Sequence, residues 1–160
     1  MAWRNDFRWR NFNFGFMVSA RLGGVVFSRT QSMLDYYGVS EATAAARDAG
    51  GVMINGNDLV DANKWYTAIG GGNSVPQYYT YSATNVRLQE ASIGYTIPKK
   101  TLGDICEITL SLVGRNLWMI YNKAPFDPET IATTGNYYQG VDYFMSPSMR
   151  NIGFNLRVKF

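Results

Sequence analysis

Five segments of the chain alternate apolar and polar residues with a period of two, which is the mark of a strand with one apolar and one polar face. The clearest are 12–22 and 151–160. In the first, Phe12, Phe14, Phe16, Val18 and Leu22 alternate with Asn13, Gly15, Ser19 and Arg21; in the second, Ile152, Phe154, Leu156, Val158 and Phe160 alternate with Asn151, Gly153, Asn155, Arg157 and Lys159. Residues 106–118 repeat the pattern, with Ile108, Leu110 and Leu112 opposite Glu107, Thr109, Ser111 and Arg115. So do residues 90–97, where Ala91, Ile93, Tyr95 and Ile97 alternate with Glu90, Ser92, Gly94 and Thr96, and residues 3–9, with Trp3, Phe7 and Trp9 against Arg4, Asp6 and Arg8. The period predicts an all-β chain: five antiparallel strands near 3–9, 12–23, 86–97, 106–119 and 147–160, in meander order, with helix confined to 30–70. Phe12, Phe14, Phe16, Val18, Ile108, Leu110, Leu112, Phe154, Leu156 and Val158 are expected on one face, and Arg21, Arg115, Arg157 and Lys159 on the other.

The connections alternate in length. Arg10-Asn11 and 98–105 are short, whereas 23–85 and 119–145 are long. Transmembrane barrels of the outer-membrane type have short periplasmic turns and long extracellular loops, and their strands need about 9–11 residues to cross the hydrocarbon. Trp9, Trp118, Tyr121 and Phe160 fall near segment ends, where aromatic girdles sit. Alternation alone is equally compatible with a soluble sandwich or small barrel that buries its apolar face. Two features favour the membrane wall. The second face is crowded with small neutral groups (Gly15, Ser19, Ser92, Gly94, Thr96, Thr109, Ser111, Gly153), as suits a packed lumen, and the chain stops on an apolar-face aromatic, Phe160.

Composition removes other classes. The absence of histidine excludes a His-based triad, a His metal site and a histidine pH switch, and the single cysteine, Cys106, excludes an internal disulfide or thiolate cluster. A net charge of +3 without a basic run gives no footprint for nucleic acid. The longest uncharged stretch, 65–86, is broken by Gly70, Gly71, Gly72, Asn73 and Pro76, so no transmembrane helix is expected. Residues 1–6 lack the apolar core of a secretory signal, so the chain is either cytoplasmic or a piece whose signal lies upstream.

The long 23–85 connection must carry elements of its own. Ser40 before 41–47, closed by Gly50-Gly51, reads as a capped helix, and a second is expected from about Asp61 to Ile69. Asn55-Gly56 marks a tight turn, and Gly70-Gly71-Gly72 with Pro76 a flexible crossing. The glycine run is no phosphate loop, since no Lys-Ser or Lys-Thr follows it.

Several blocks together carry a resemblance. Asn5-Asp6-Phe7-Arg8-Trp9-Arg10-Asn11-Phe12-Asn13-Phe14-Gly15-Phe16, Arg21-Leu22-Gly23-Gly24, Asn85-Val86-Arg87-Leu88, Gly94-Tyr95-Thr96-Ile97-Pro98, Gly114-Arg115-Asn116-Leu117, Asp127-Pro128-Glu129 and the segment 152–160, in this order, resemble the C-terminal end of the SusC/RagA family of TonB-dependent outer-membrane transporters. The resemblance covers essentially the whole chain. It implies residence in the outer membrane of Bacteroidetes-type bacteria, in a barrel of about 22 strands around a plug. Residues 1–160 would be the C-terminal strands of that barrel, with the plug and TonB-box segment outside this chain and Met1 the start of a truncated or misannotated gene or of an engineered piece. The implied partners are outer-membrane lipid, a SusD-like surface lipoprotein, TonB through the missing N-terminal part, and a glycan or oligopeptide substrate.

Import makes or breaks no bond, so neither an enzyme nor a cofactor is expected. Sugar rings stack on aromatic side chains, which makes Trp65, Tyr78, Tyr79, Tyr81, Tyr137 and Tyr138 the candidate ligand-binding residues, against the plainer reading that such rings pack within the loops. Phe160 is expected to serve as the barrel-assembly signal. Asp127 and Glu129 with Asp142 suit a calcium ion in residue type, but lack a spaced ligand motif and read first as a solvated acidic turn, so no metal is expected. Three rivals stand beside this reading. A soluble β-sandwich carbohydrate-binding or adhesin module would use the same tyrosine-rich loops, a stand-alone eight-stranded barrel needs more strands than the chain supplies, and a glycosidase needs a carboxylate pair that Glu90 and Glu107 do not form.

Overall fold

A two-residue turn at Arg10-Asn11, with Arg10 in the left-handed region (φ 53°), joins the first two strands and sets their register. The computed structural model describes residues 1–130 and 135–160, with Leu102 and Tyr137 described by backbone alone. In chain order the elements are β1 (Ala2–Trp9), β2 (Phe12–Arg21), β3 (Val25–Ser28), α1 (Arg29–Tyr36), α2 (Glu41–Asp48), β4 (Val52–Ile54), β5 (Asp58–Val60), α3 (Ala62–Ile69), α4 (Pro76–Tyr79), β6 (Thr80–Ser82), β7 (Asn85–Ile97), β8 (Glu107–Asn122), β9 (Val141–Asp142) and β10 (Asn151–Lys159). Single 3-10 turns occupy Lys99–Leu102 and Asn136–Tyr138. No helix is long and apolar enough to cross a membrane, which says nothing of crossing by strands. The chain divides into two units.

The wall unit comprises Met1–Gly23, Ala83–Asp127 and Pro147–Phe160. Its sheet has the order β1-β2-β7-β8-β10, antiparallel throughout, so the expected five-strand meander is present with bounds shifted by a few residues at most. One cross-strand row runs Trp9, Phe12, Tyr95, Leu110, Leu156, and the next runs Phe7, Phe14, Ile93, Leu112, Phe154. Antiparallel partners share a face, so the predicted apolar set does lie together. The alternate rows are mainly polar: Arg8, Asn13, Gly94, Ser111, Asn155, then Asp6, Gly15, Ser92, Val113, Gly153, with Val113 the apolar exception. On this face Asn13 donates to Thr96 (3.0 Å), and the Thr96 and Thr109 hydroxyls share a hydrogen bond (3.1 Å). The face is small because it is crowded: a Cβ on Gly94 would lie 2.5 Å from Ser111 Oγ.

The apolar face is open. Leu110 is 56% and Phe154 80% exposed, so no second layer covers them. β1 and β10 form the two edges of the sheet, and no closed ring of strands exists among the described residues.

The loop unit, Gly24–Ser82 with Pro128–Ser146, holds a core of Val26, Ala62, Ile69 and Tyr79. Three local signals act as read from sequence. Ser40 caps α2 by accepting from Thr43 N, Asp61 caps α3 by accepting from Lys64 N, and Asn55-Gly56, both at positive φ, turn β4 into β5. Other expectations are corrected. Helix is not confined to 30–70, because Ser28 caps a helix that starts at Arg29, and Pro76, suited to a first helical turn, opens α4. Strand pairing is not antiparallel throughout: β3 pairs with β6 antiparallel and with β9 in parallel, through Phe27–Val141 and Ser28–Asp142. The glycine run is not a flexible crossing. Gly70 and Gly71 are buried against α1, Gly71 N donates to Ser32 O (3.1 Å), and Ser32 Oγ donates to Gly71 O (3.1 Å). A Cβ on Gly71, whose φ is +77°, would lie 2.7 Å from the Tyr36 ring, so the missing side chain serves close packing here.

Candidate functional site

The loop unit carries the aromatic residues singled out as ligand contacts, and the fold sorts them into different settings. Trp65 on α3 meets Tyr78 on α4 edge to face, with ring centroids 5.8 Å apart and Tyr78 half exposed. Tyr79, the next residue, points the other way and is 1% exposed. Tyr81 is half-buried in β6, opposite Val26. Tyr138 is exposed on the 3-10 turn, and the side chain of Tyr137 lies outside the described residues. Tyr78 and Tyr138 therefore keep ring surface exposed, Trp65 and Tyr81 are half-buried, and Tyr79 packs. Two aromatic pairs went unremarked in the sequence: Tyr36 with Tyr37 (5.2 Å) and Tyr143 with Phe144 (5.3 Å), all four exposed. Their signal was adjacency in the chain, where neighbours at a helix end or in a loop stand on different sides yet keep edge contact.

The core beneath these rings is polarised by one carboxylate. Asp35 is buried on α1 and accepts from Gln31 Nε2 at 2.8 Å. Burial holds the Tyr79 hydroxyl far above its ordinary pKa, with the Asp35 charge adding to the effect, and the same two causes raise Tyr66 and Tyr81. A tyrosine with a folded pKa above its unfolded value binds more proton in the fold, so its contribution is fully present below about pH 10 and is lost as pH rises beyond that. The loop unit is therefore expected to lose stability above about pH 10 in the wild type. Tyr79→Phe should show a shallower loss, read by thermal unfolding across an alkaline pH series.

The wall unit contains a second polar constellation. Arg87 on β7 is 2% exposed; its Nη1 donates to Asn116 Oδ1 (2.7 Å) and Ser148 Oγ (2.8 Å), and its Nη2 to Asp127 Oδ1 (2.6 Å). The Ser148 hydroxyl and backbone N both donate to Asp127, and Asn116 Nδ2 donates to Met149 O (3.2 Å). Asn116 reaches this cluster because it stands at φ 52° where the β7–β8 register slips, a bulge that re-aims its side chain. Arg87, Asn116 and Asp127 come from three of the sequence blocks that carry the family resemblance, and the cluster explains why those residue types stand there. Asp127 is thereby engaged with arginine, while Asp142, in the loop unit, accepts from Ser28 Oγ (2.9 Å). Among the described residues no three metal-ligating side chains gather. Phe160 follows β10 and is 84% exposed.

No protein-family model matches the chain. The whole chain aligns with TonB-dependent receptor P3 of Formosa agariphila at 25% identity over 168 residues. The alignment covers 100% of this chain and 16% of that receptor, so the chain spans about a sixth of the relative's length. The likeness is to TonB-dependent receptors in general and does not reach the SusC/RagA subfamily.

Proposed function

We propose that the chain forms part of the strand wall of an outer-membrane TonB-dependent transporter, its apolar face toward lipid and its polar face toward the lumen. The observation that carries this is the five-stranded sheet itself. Its rows alternate between a mainly apolar and a mainly polar face, with residues such as Asn5, Val113 and Met119 as exceptions, and the apolar face is uncovered. The TonB-dependent receptor likeness supports the same reading. In a complete receptor, TonB would act through an N-terminal part not contained in this chain. The sequence blocks favour the SusC/RagA branch and with it a SusD-like lipoprotein partner and a glycan or oligopeptide cargo. The exposed rings of Tyr78 and Tyr138, with Trp65 set edge-on against Tyr78, support a reading in which they stack on a sugar.

The rival sandwich module and the membrane wall differ in what they need from solvent. Refolded without detergent, a sandwich stays in solution, whereas a membrane wall precipitates and is recovered in lipid vesicles. Recovery of soluble monomer in plain buffer would overturn the membrane reading.

Phe160 separates two further possibilities within that reading. As an assembly signal it is expected to matter in the cell and not in the test tube, because an aromatic at the interface adds little to a wall already formed. Deleting Phe160 from the full-length parent should lower the heat-modifiable form in the outer membrane while leaving thermal stability in detergent unchanged. An equal loss in detergent would make it a packing residue.

A further inference from the structure

Charge is divided unevenly along the molecule. Residues 24–82 and 128–146 of the loop unit hold three basic and seven acidic side chains, a net of −4, whereas the wall unit holds twelve basic and five acidic, a net of +7. Part of that excess lies at one end of the sheet. The antiparallel order brings the β1–β2 turn, the β7–β8 turn and the end of β10 to the same edge of the wall. Arg10 occupies the first turn, and Lys99 and Lys100 the second, with Asp104 the acidic residue beside them. Among the described residues no ion pair engages Arg10, Lys99 or Lys100. Arg8, Arg157 and Lys159 are near the same end but in the polar rows, where Lys159 stands opposite Glu107.

The apolar face at this end is aromatic. Trp9, Phe12 and Tyr95 lie side by side on three neighbouring strands, with centroids 6.4 Å apart for the first pair and 4.9 Å for the second. The Arg10 guanidinium sits 5.6 Å from the Trp9 ring centre, which carries its charge to the apolar side of the turn. An aromatic row capped by cations fits the boundary where hydrocarbon gives way to phosphate: rings favour the interface, and a guanidinium or ammonium beyond them meets phosphate oxygens.

We propose that the short-turn end of the wall is a docking surface for anionic phospholipid headgroups, with Trp9, Phe12 and Tyr95 at the level of the headgroups and Arg10, Lys99 and Lys100 taking their charge. The proposal rests on the membrane reading of the sheet and adds to it a preference among lipids.

The test is flotation of the full chain with phosphatidylcholine vesicles and with vesicles containing phosphatidylglycerol. Each basic residue near an anionic surface favours binding by about five-fold, so the wild type is expected to prefer the anionic vesicles by tenfold or more on the order of these increments, and added salt should weaken that preference. The combined variant Arg10→Gln, Lys99→Gln, Lys100→Gln should lose it while binding phosphatidylcholine as before. Arg47→Gln with Lys64→Gln, in the loop unit, should keep it. Equal binding of the wild type to both vesicles, or an equal fall of the triple variant on both, overturns the headgroup surface alone. Binding of the wild type to neither overturns the membrane reading beneath it.

Discussion

Asp127→Ala is expected to destabilise the chain by about 3–5 kcal/mol, the cost of leaving a buried arginine without its counter-charge. Arg87 is 2% exposed and its Nη2 lies 2.6 Å from Asp127, so the variant strands a cation that water does not reach. It also removes the acceptor of Ser148, and with it the tie between the segment after β8 and the segment before β10. The double variant Arg87→Met, Asp127→Leu should recover most of the loss, because apolar groups of similar volume carry no desolvation debt. Asp6→Ala supplies the contrast. Its partner Arg4 is paired at 3.0 Å but both side chains are more than half exposed, and the change should leave stability where it was. Denaturant unfolding of the vesicle-bound chain, followed by tryptophan fluorescence, reads all three. Equal losses for Asp127→Ala and the double variant would show that charge burial is not the cause.

Leu112→Arg is the second large effect. Leu112 stands between Ile93 and Phe154 on the open apolar face, one row further into the sheet than the aromatic row of Trp9, Phe12 and Tyr95, and a basic side chain turned into the hydrocarbon costs about 2–4 kcal/mol toward the bilayer midplane. That is on the order of a 30- to 1000-fold fall in the inserted fraction. Ser111→Arg, the neighbouring position, between Gly94 and Asn155, faces the polar side and should cost far less. Co-sedimentation with vesicles measures both. Equal insertion of the two variants would mean that the faces are reversed or that the sheet does not meet lipid.

The wall was legible because its signal is local. Alternation at 12–22 and 151–160 states the two faces outright, and the short Arg10-Asn11 turn fixes the register of its neighbours. The Ser40-capped helix was equally plain, and the second was placed to within a residue, Asp61 proving to be its cap rather than its first residue. What could not be read depended on distant partners. β3, β6 and β9 are two to four residues long, too short to show a period, and exist because they pair with one another. The glycine run looked like punctuation because nothing in its neighbourhood says that the backbone of α1 approaches it. Among the candidate ligand residues, composition found the aromatics and burial then separated Tyr78 from Tyr79, a distinction of one position along a short helix. Arg87 and Asp127 were both noticed, but as parts of separate blocks, since a contact across 40 residues leaves no local trace.

The parallel pairing of β3 with β9 has a consequence for how the molecule is made. Ser28 and Asp142 are 114 residues apart, and their hydrogen bond sits where the N-terminal cap of α1 begins. During synthesis the helices α1 to α3 have everything they need within a few dozen residues, yet the strand that completes their sheet follows 114 residues after Ser28. The loop unit must therefore wait, helical but unfinished, while most of the wall emerges. Its last step is a long-range closure of the kind that slows folding. Until that step, Phe27 and Ser28 present an unpaired strand edge, the kind that invites pairing with another chain.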